Sequence, residues 1–125
     1  MTIRAALVLV ASVLMAGCGI SKEAIRPGGV VVIEMVSPGA FKVGRQRFTT
    51  DSLGFALRRL KDSSDVKTLE VRIPAQFLKN DNGVTCGKLA SVVTNADGKQ
   101  YEFYEWTSND ESTKKAVRCD IVVLA

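Results

Sequence analysis

The sequence predicts a small α+β domain with a mainly antiparallel sheet, one clear helix and one disulfide. Three observations support this fold class. Several short segments are rich in β-branched and aromatic residues, and residues 50–61 carry a helical apolar stripe. The predicted domain also contains two cysteines, Cys86 and Cys119, that can pair. We expect residues 1–17 to be a signal peptide, residues 18–29 an N-terminal tether, and residues 30–125 one globular domain.

The N-terminal segment has the three parts of an export signal. Arg4 supplies a positive charge, residues 5–15 are uncharged and mostly Ala, Val and Leu, and two small residues precede Cys18. The apolar run is shorter than the roughly 20 residues that a membrane-spanning helix needs. We therefore predict that this leader is removed after export.

The residues Leu-Met-Ala-Gly-Cys at positions 14–18 resemble the lipobox of bacterial lipoproteins. Met15 stands where Leu is usual. The resemblance implies that Cys18 becomes the mature N-terminus and carries a diacylglyceryl thioether, usually with a further amide-linked chain. Two or more chains give stable membrane anchoring. Gly19 in place of aspartate implies, for a Gram-negative host, sorting to the periplasmic face of the outer membrane. The alternative is an ordinary signal peptide that leaves Cys18 as a spare thiol, which is unusual in an exported chain.

The net charge of the mature chain is small. Only Arg4 among the leader residues is charged, so the mature chain has 16 basic and 13 acidic residues and a net charge of +3. The basic residues are scattered along the sequence. We therefore expect no nucleic-acid partner, and we expect the membrane, through the lipid anchor, and an envelope protein to be the partners.

Cys86 and Cys119 remain as a pair once Cys18 is assigned to lipid. Outside the cytoplasm such a pair is expected to oxidise. Closing a loop of about 34 residues would stabilise the fold by about 3.8 kcal/mol in the chain-entropy model. The alternatives are a redox pair or a metal site, but the chain has no histidine and no Cys-x-x-Cys motif. We predict a structural disulfide and neither a metal nor a cofactor.

The first half of the domain predicts strands followed by a helix. Residues 19–29 are polar with a Pro-Gly-Gly sequence and suggest a tether, with an arm packed on the domain as the alternative. Residues 30–36 predict a buried strand, residues 37–39 a turn, and residues 40–43 the returning strand of a β-hairpin. Gly44 predicts a second turn, after which residues 46–48 prolong the strand.

Residues 50–61 give the clearest helical pattern. Thr50 can cap the first turn and Asp51 suits its positive end. The apolar stripe consists of Leu53, Ala56, Leu57 and Leu60. Arg58 and Arg59 fall outside it, so they form either a docking patch or a solvated face, and we favour the solvated face.

The second half is more ambiguous. Residues 69–73 alternate apolar and charged and predict a half-buried strand that closes at Pro74. Residues 86–93 fit a helical stripe, but Gly87 and a Val-Val-Thr cluster disfavour a helix. We therefore predict a hairpin of residues 88–94 with residues 100–106, over a helix followed by a strand. A polar loop at residues 107–115 and a final strand at residues 116–124 complete the domain.

The order strand, turn, strand, capped helix, strand over residues 30–74 resembles the periplasmic domain of the TolR/ExbD family. The rhythm of Phe-Lys-Val-Gly at 41–44, the helix at 50–60 and Leu-Glu-Val-Arg-Ile at 69–73 carries the resemblance. That family works through a retained transmembrane helix with a proton-carrying aspartate. The apolar segment of this chain, residues 5–15, lacks aspartate and is predicted to be removed with the leader. The resemblance therefore implies at most a shared domain shape and no proton-driven role.

The sequence favours binding over catalysis. It lacks histidine, the commonest general base, and Glu102 and Glu105 fall on opposite faces of a strand. Alternation places Tyr101 and Phe103 on one face of that strand and Tyr104 and Trp106 on the other. One pair should enter the core. The other pair is either buried by other parts of the chain, which we favour, or exposed and able to bind a ligand. We expect no enzymatic activity.

Two functional hypotheses remain. The first is a lipid-anchored binding or accessory module of the cell envelope that recognises a protein partner. The second is a structural envelope lipoprotein that contacts peptidoglycan or glycan through Tyr104 and Trp106.

Overall fold

The computed structural model describes residues 19–78, 83–107 and 114–119. It contains seven strands and two α-helices. They are, in chain order, β1 (Ile25–Arg26), β2 (Val30–Ser37), β3 (Ala40–Val43), β4 (Gln46–Thr49), α1 (Thr50–Leu60), β5 (Thr68–Pro74), α2 (Val84–Val93), β6 (Gln100–Trp106) and β7 (Lys115–Val117). Short 3-10 helices lie at Lys22–Ala24, Ala75–Phe77 and Thr94–Ala96.

All seven strands belong to one sheet, in the order β4-β3-β2-β5-β6-β7, with β1 paired to β2. The β2–β5 and β5–β6 pairs are parallel, and the other four pairs are antiparallel. The prediction of a small α+β domain with a mainly antiparallel sheet and one disulfide is confirmed. No helix in the part of the chain that the structure describes is long and apolar enough to cross a membrane.

The core lies between the two helices and one face of the sheet. Val31, Ile33, Leu69, Val71 and Ile73 contribute the sheet side and are fully buried. Leu53 and Leu57 of α1 and Leu89 and Val93 of α2 contribute the helix side. The opposite face of the sheet carries no α-helix among these elements, and it is the face on which the charged residues of β5 lie.

Helix α1 is capped by a different residue from the predicted one. Thr49, rather than Thr50, is the N-cap. Its Oγ1 accepts a hydrogen bond from the Ser52 amide at 3.2 Å, and the Ser52 Oγ accepts one from the Thr49 amide at 2.8 Å. This reciprocal capping box satisfies two backbone donors, which a cap at Thr50 would not.

The hairpin predicted for residues 88–94 and 100–106 is wrong. The structure has the rejected alternative, in which α2 is followed by β6, and β6 runs parallel to β5. The buried face of α2 is the stripe Cys86, Gly87, Leu89, Ala90 and Val93. Burial of this stripe against α1 and the sheet outweighs the low helix propensity of Gly87 and the β-branched residues, which together cost about 3 kcal/mol.

Residues 19–29 are not a free tether. They form the packed arm that was the alternative: Ile25 of β1 pairs with Val31 of β2, and Ile20 packs against the core. Gly44, at φ +60°, lies in the β3–β4 turn, where an added Cβ would lie 3.2 Å from the Cβ of Ala24. The arm therefore closes tightly over that turn, and residues 19–29 belong to the folded domain, which was predicted to begin at Val30.

The C-terminal part is described only in segments. Strand β7 covers Lys115–Val117 and pairs with β6, with Tyr104 opposite Ala116. Most of the predicted loop at 107–115 and residues 120–124 of the predicted final strand lie outside the described residues.

The predicted disulfide is present. Cys86 of α2 is bonded to Cys119, with a Cα–Cα distance of 5.1 Å and a separation of 33 residues along the chain. Cys86 is 6% exposed. The bond ties the segment after β7 to a helix, rather than to the strand that the sequence suggested.

Removing the bridge should destabilise the fold. We expect the Cys86→Ala/Cys119→Ala variant to lose about 3 to 4 kcal/mol of unfolding free energy. Without the bond, the chain between residues 86 and 119 is no longer closed into a loop, so it regains conformational entropy in the unfolded state. For a domain of this size that loss lowers Tm by on the order of 15 °C. Thermal unfolding followed by circular dichroism tests this. The reduced wild-type protein should melt like the variant, and an unchanged melt of the variant would contradict a stabilising bridge.

Candidate functional site

The sheet face opposite the helices carries a buried ion cluster centred on β5. Glu70 and Arg72 alternate with the core residues of that strand, and they are only 7% and 4% exposed. The prediction of a half-buried strand with these two side chains toward water is therefore wrong. Charged groups are rarely so buried without partners.

Arg72 has partners on three strands. Its Nε lies 2.7 Å from Oε2 of Glu70, and its Nη1 lies 3.8 Å from Oε1 of Glu34 on β2. The guanidinium also lies over the ring of Trp106, 4.5 Å from the ring centroid. Trp106 thus covers the cation while the two carboxylates balance its charge.

Lys114 completes the cluster from the segment before β7. Its Nζ lies 3.1 Å from Oε1 of Glu70 and 4.6 Å from the ring centroid of Tyr104. The Tyr104 hydroxyl donates a hydrogen bond of 3.1 Å to Oε2 of Glu102. No buried side-chain nitrogen or oxygen in the described segments lacks a hydrogen-bond partner.

These contacts shift two pKa values in opposite directions. Burial raises the pKa of Glu70, but the hydrogen bonds from Arg72 and Lys114 and their positive charges outweigh it, so the pKa is lowered overall. Burial raises the pKa of Tyr104, and its hydrogen bond to the Glu102 carboxylate raises it further. At neutral pH the cluster therefore holds an ionised Glu70 and a protonated Tyr104.

The aromatic residues of β6 divide as the alternation predicts. Tyr101 and Phe103 pack against the core. Tyr104 and Trp106 lie on the opposite face, each partly exposed and each with one cation over its ring. A packing role covering Arg72 and Glu70 accounts for these contacts, and ligand binding by the two rings remains a prediction.

A second surface is the groove between α1 and α2. Phe55, on the outer side of α1, is 64% exposed, and the Arg58 guanidinium lies 5.6 Å from its ring centroid. The groove is lined by Thr50, Asp51, Gly54, Phe55, Arg58, Ser91, Val92 and Asn95. Thr50 and Val92 also line an adjoining concavity that contains Met35, Phe41, Val84 and Lys88. We call the two together the helix groove.

Arg59 lies elsewhere. An added Cβ on Gly19 would lie 3.7 Å from Cδ of Arg59, so this side chain faces the N-terminal arm. The four residues singled out from the sequence thus occupy three places: Tyr104 and Trp106 on the ion-cluster face, Arg58 in the helix groove, and Arg59 at the arm. Cys18 lies outside the described residues.

Sequence reasoning missed Phe55 and Glu70. A signal for Phe55 was present, because it is the one large apolar side chain of α1 that falls outside the buried stripe. Glu70 gave no such signal, since its burial depends on Trp106 and Lys114, which lie far along the chain.

Neither potential metal ligands nor comparison with known proteins assigns a further function to the site. Within the described segments no group of three or more Cys, Asp or Glu side chains could hold a metal ion. Comparison with protein-family models, with curated proteins and with solved structures gave no match. The likeness to the TolR/ExbD periplasmic domain therefore stays a prediction.

Proposed function

We propose that this protein is a lipid-anchored binding or accessory module of the cell envelope, without catalytic activity, that recognises a protein partner through the helix groove. The observation that carries the proposal is Phe55. It places a large aromatic ring, 64% exposed, on a helix whose other bulky apolar residues are buried. Aromatic and arginine side chains dominate the binding energy of protein interfaces.

The groove has the composition of a small interface. Phe55 and Val84 supply exposed apolar surface, Val84 being 50% exposed, and Val92 lines both concavities of the groove. Arg58 and Lys88 provide cations, and Asp51 lies at the first turn of α1. This arrangement fits a protein segment that presents an apolar side chain beside a carboxylate, because the carboxylate could pair with Arg58 while Phe55 is covered.

Photo-crosslinking in native membranes tests the proposal. A photoreactive benzoyl-phenylalanine at position 55 is expected to give one discrete adduct with an envelope protein. The same group at Gln76, which is exposed on another part of the surface, should not give it. Arg58→Glu should reduce the adduct at least about tenfold by removing the charge pairing, whereas Lys61→Glu should leave it unchanged. The same adduct from both positions, or none from position 55, would contradict the proposal.

The second hypothesis, a structural lipoprotein that contacts peptidoglycan or glycan through Tyr104 and Trp106, rests on the partial exposure of those rings. Aromatic rings with a polar atom suit sugar surfaces. Sedimentation with isolated sacculi distinguishes the two hypotheses. Binding to sacculi that is lost in Trp106→Ala, with no adduct from position 55, would favour the second.

A further inference from the structure

The residues that directly follow Cys18 are held by one side chain. Gln46, at the start of β4, donates a hydrogen bond from Nε2 to the Gly19 carbonyl at 2.7 Å. Its Oε1 accepts a hydrogen bond from the Ser21 amide, also at 2.7 Å. The amide of Gln46 thus pairs with the arm as a neighbouring strand would, and it fixes Gly19 against the domain.

This arrangement leaves little free chain between the domain and residue 18. Ile20 packs against the core, Ala24 lies over Gly44, and β1 pairs with β2. A chain advances at most about 3.6 Å per residue, so an acylated Cys18 could not lie far from the Gly19 position. The part of the domain around Gly19 would consequently be held at the bilayer.

Three cations lie around that point. Arg59 approaches Gly19 directly, Arg45 precedes Gln46 in the β3–β4 turn, and Lys22 follows in the arm, and all three are exposed. We call them the anchor-proximal surface. Glu23 is the acidic residue among their neighbours in the arm, so the three cations outnumber it.

We propose that the anchor-proximal surface of Lys22, Arg45 and Arg59 lies on the anionic phospholipid headgroups of the membrane and sets the orientation of the domain. The inference rests on the proposed lipidation of Cys18. Cations close to an anionic bilayer are attracted over about a Debye length, and the short arm keeps these three within that range.

The orientation also decides which surfaces face away from the lipid. The first residues of β2, β5 and β6 are level in the sheet, because Val30 pairs with Thr68 and Thr68 with Gln100. Trp106 ends β6 six residues further along, about 20 Å from this end. The arm lies at this end, because β1 pairs with Val30 and Val31. With the anchor-proximal surface on the membrane, Trp106 therefore lies toward the aqueous side.

Vesicle binding of the acyl-free protein tests the charge contribution. The mature chain with Cys18→Ala, exported by a leader without a lipobox, should bind vesicles containing phosphatidylglycerol and should not bind pure phosphatidylcholine vesicles. Arg45→Glu/Arg59→Glu should weaken that binding by about thirtyfold or more. Lys88→Glu/Lys115→Glu makes the same change in net charge at exposed sites elsewhere and should weaken it less than about threefold. Equal losses in both variants, or equal binding to both vesicle types, would overturn the proposal.

The single tryptophan gives a second readout in the lipidated protein. In vesicles with brominated phosphatidylglycerol, Trp106 fluorescence should not be quenched, whereas an Arg45→Trp/Trp106→Phe variant should be strongly quenched. Quenching of Trp106 without quenching of the tryptophan at position 45 would show that the domain has the opposite orientation, and it would overturn the inference. Failure of lipidation itself is seen separately, as loss of acyl groups from the intact mass, and does not affect the vesicle test.

Discussion

Replacing Cys18 by serine is expected to move the protein from the membrane fraction to the soluble envelope fraction. The thioether-linked chains would be lost together with the sulfur that carries them, and each buried methylene contributes about 0.8 kcal/mol to membrane affinity. The three cations of the anchor-proximal surface give only weak, salt-sensitive attraction in their place. Fractionation in buffer of moderate ionic strength should therefore find nearly all of the variant outside the membrane.

The matched control removes a different cysteine. Cys86→Ser breaks the disulfide but leaves the lipobox intact, so this variant should remain in the membrane fraction although it melts at a lower temperature. Intact-mass measurement should show acyl groups on the wild-type protein and on Cys86→Ser, and none on Cys18→Ser. Membrane association that persists in Cys18→Ser would contradict lipid anchoring at this residue.

The elements that sequence reasoning predicted well are those fixed by local interactions. The β2–β3 hairpin depends on a turn at Gly39, and α1 depends on a stripe of four apolar residues within eleven positions. The disulfide was predicted from the number of cysteines and the expected compartment. Neighbouring residues therefore fix the hairpin and α1, whereas the disulfide joins residues 33 positions apart and was predictable only because the number of cysteines and the expected compartment indicated it.

The element that was missed depends on distant contacts. Helix α2 contains Gly87 and four β-branched residues in ten positions, a composition that local propensity assigns to a strand. Its stability comes from Cys86, Leu89 and Val93, which are buried in a core formed by residues 31–73. The connection also has to cross from β5 to a parallel β6, and a helix makes this crossover more readily than a strand does.

The packed arm was only the alternative prediction and the ion cluster was missed, and both have a related reason. Polar residues with two glycines describe a flexible linker well when they are read alone, yet the arm is fixed by Gln46, some 25 residues later. Likewise, strand alternation assigns Glu70 and Arg72 to a solvent face, and the covering residues Trp106 and Lys114 lie more than 30 positions away. Side chains contributed by later elements therefore decided both outcomes.

Replacing Arg72 by methionine is expected to lower the free energy of unfolding by about 3 kcal/mol, toward the lower end of the range for breaking a buried ion pair. The variant leaves Glu70 buried with one fewer partner, while Lys114 still binds it at 3.1 Å. It also removes the cation that the Trp106 ring covers. Arg47→Met, at an exposed position on β4, is the matched control and should change stability by less than about 0.5 kcal/mol.

A double replacement separates the cost of an unpaired charge from the value of the pair. In Glu70→Leu/Arg72→Met neither buried charge remains, so the loss should be clearly smaller than the sum of the two single losses. The pH dependence gives an independent check. The pKa of Glu70 is lowered in the folded state, so its contribution to stability is fully present above its ordinary value of about 4.3 and is lost as the pH falls through the lowered folded value.

The acid limb of the stability profile should therefore differ among the variants. Wild-type protein should lose stability as the pH falls from about 5, partly because Glu70 must become protonated beside two cations. The double variant has no carboxylate at position 70 and should lose less over the same range, measured by urea unfolding at a series of pH values. Identical acid limbs, together with additive single losses, would show that Glu70 and Arg72 do not act as a pair, and the ion cluster would then contribute packing rather than charge to this face of the sheet.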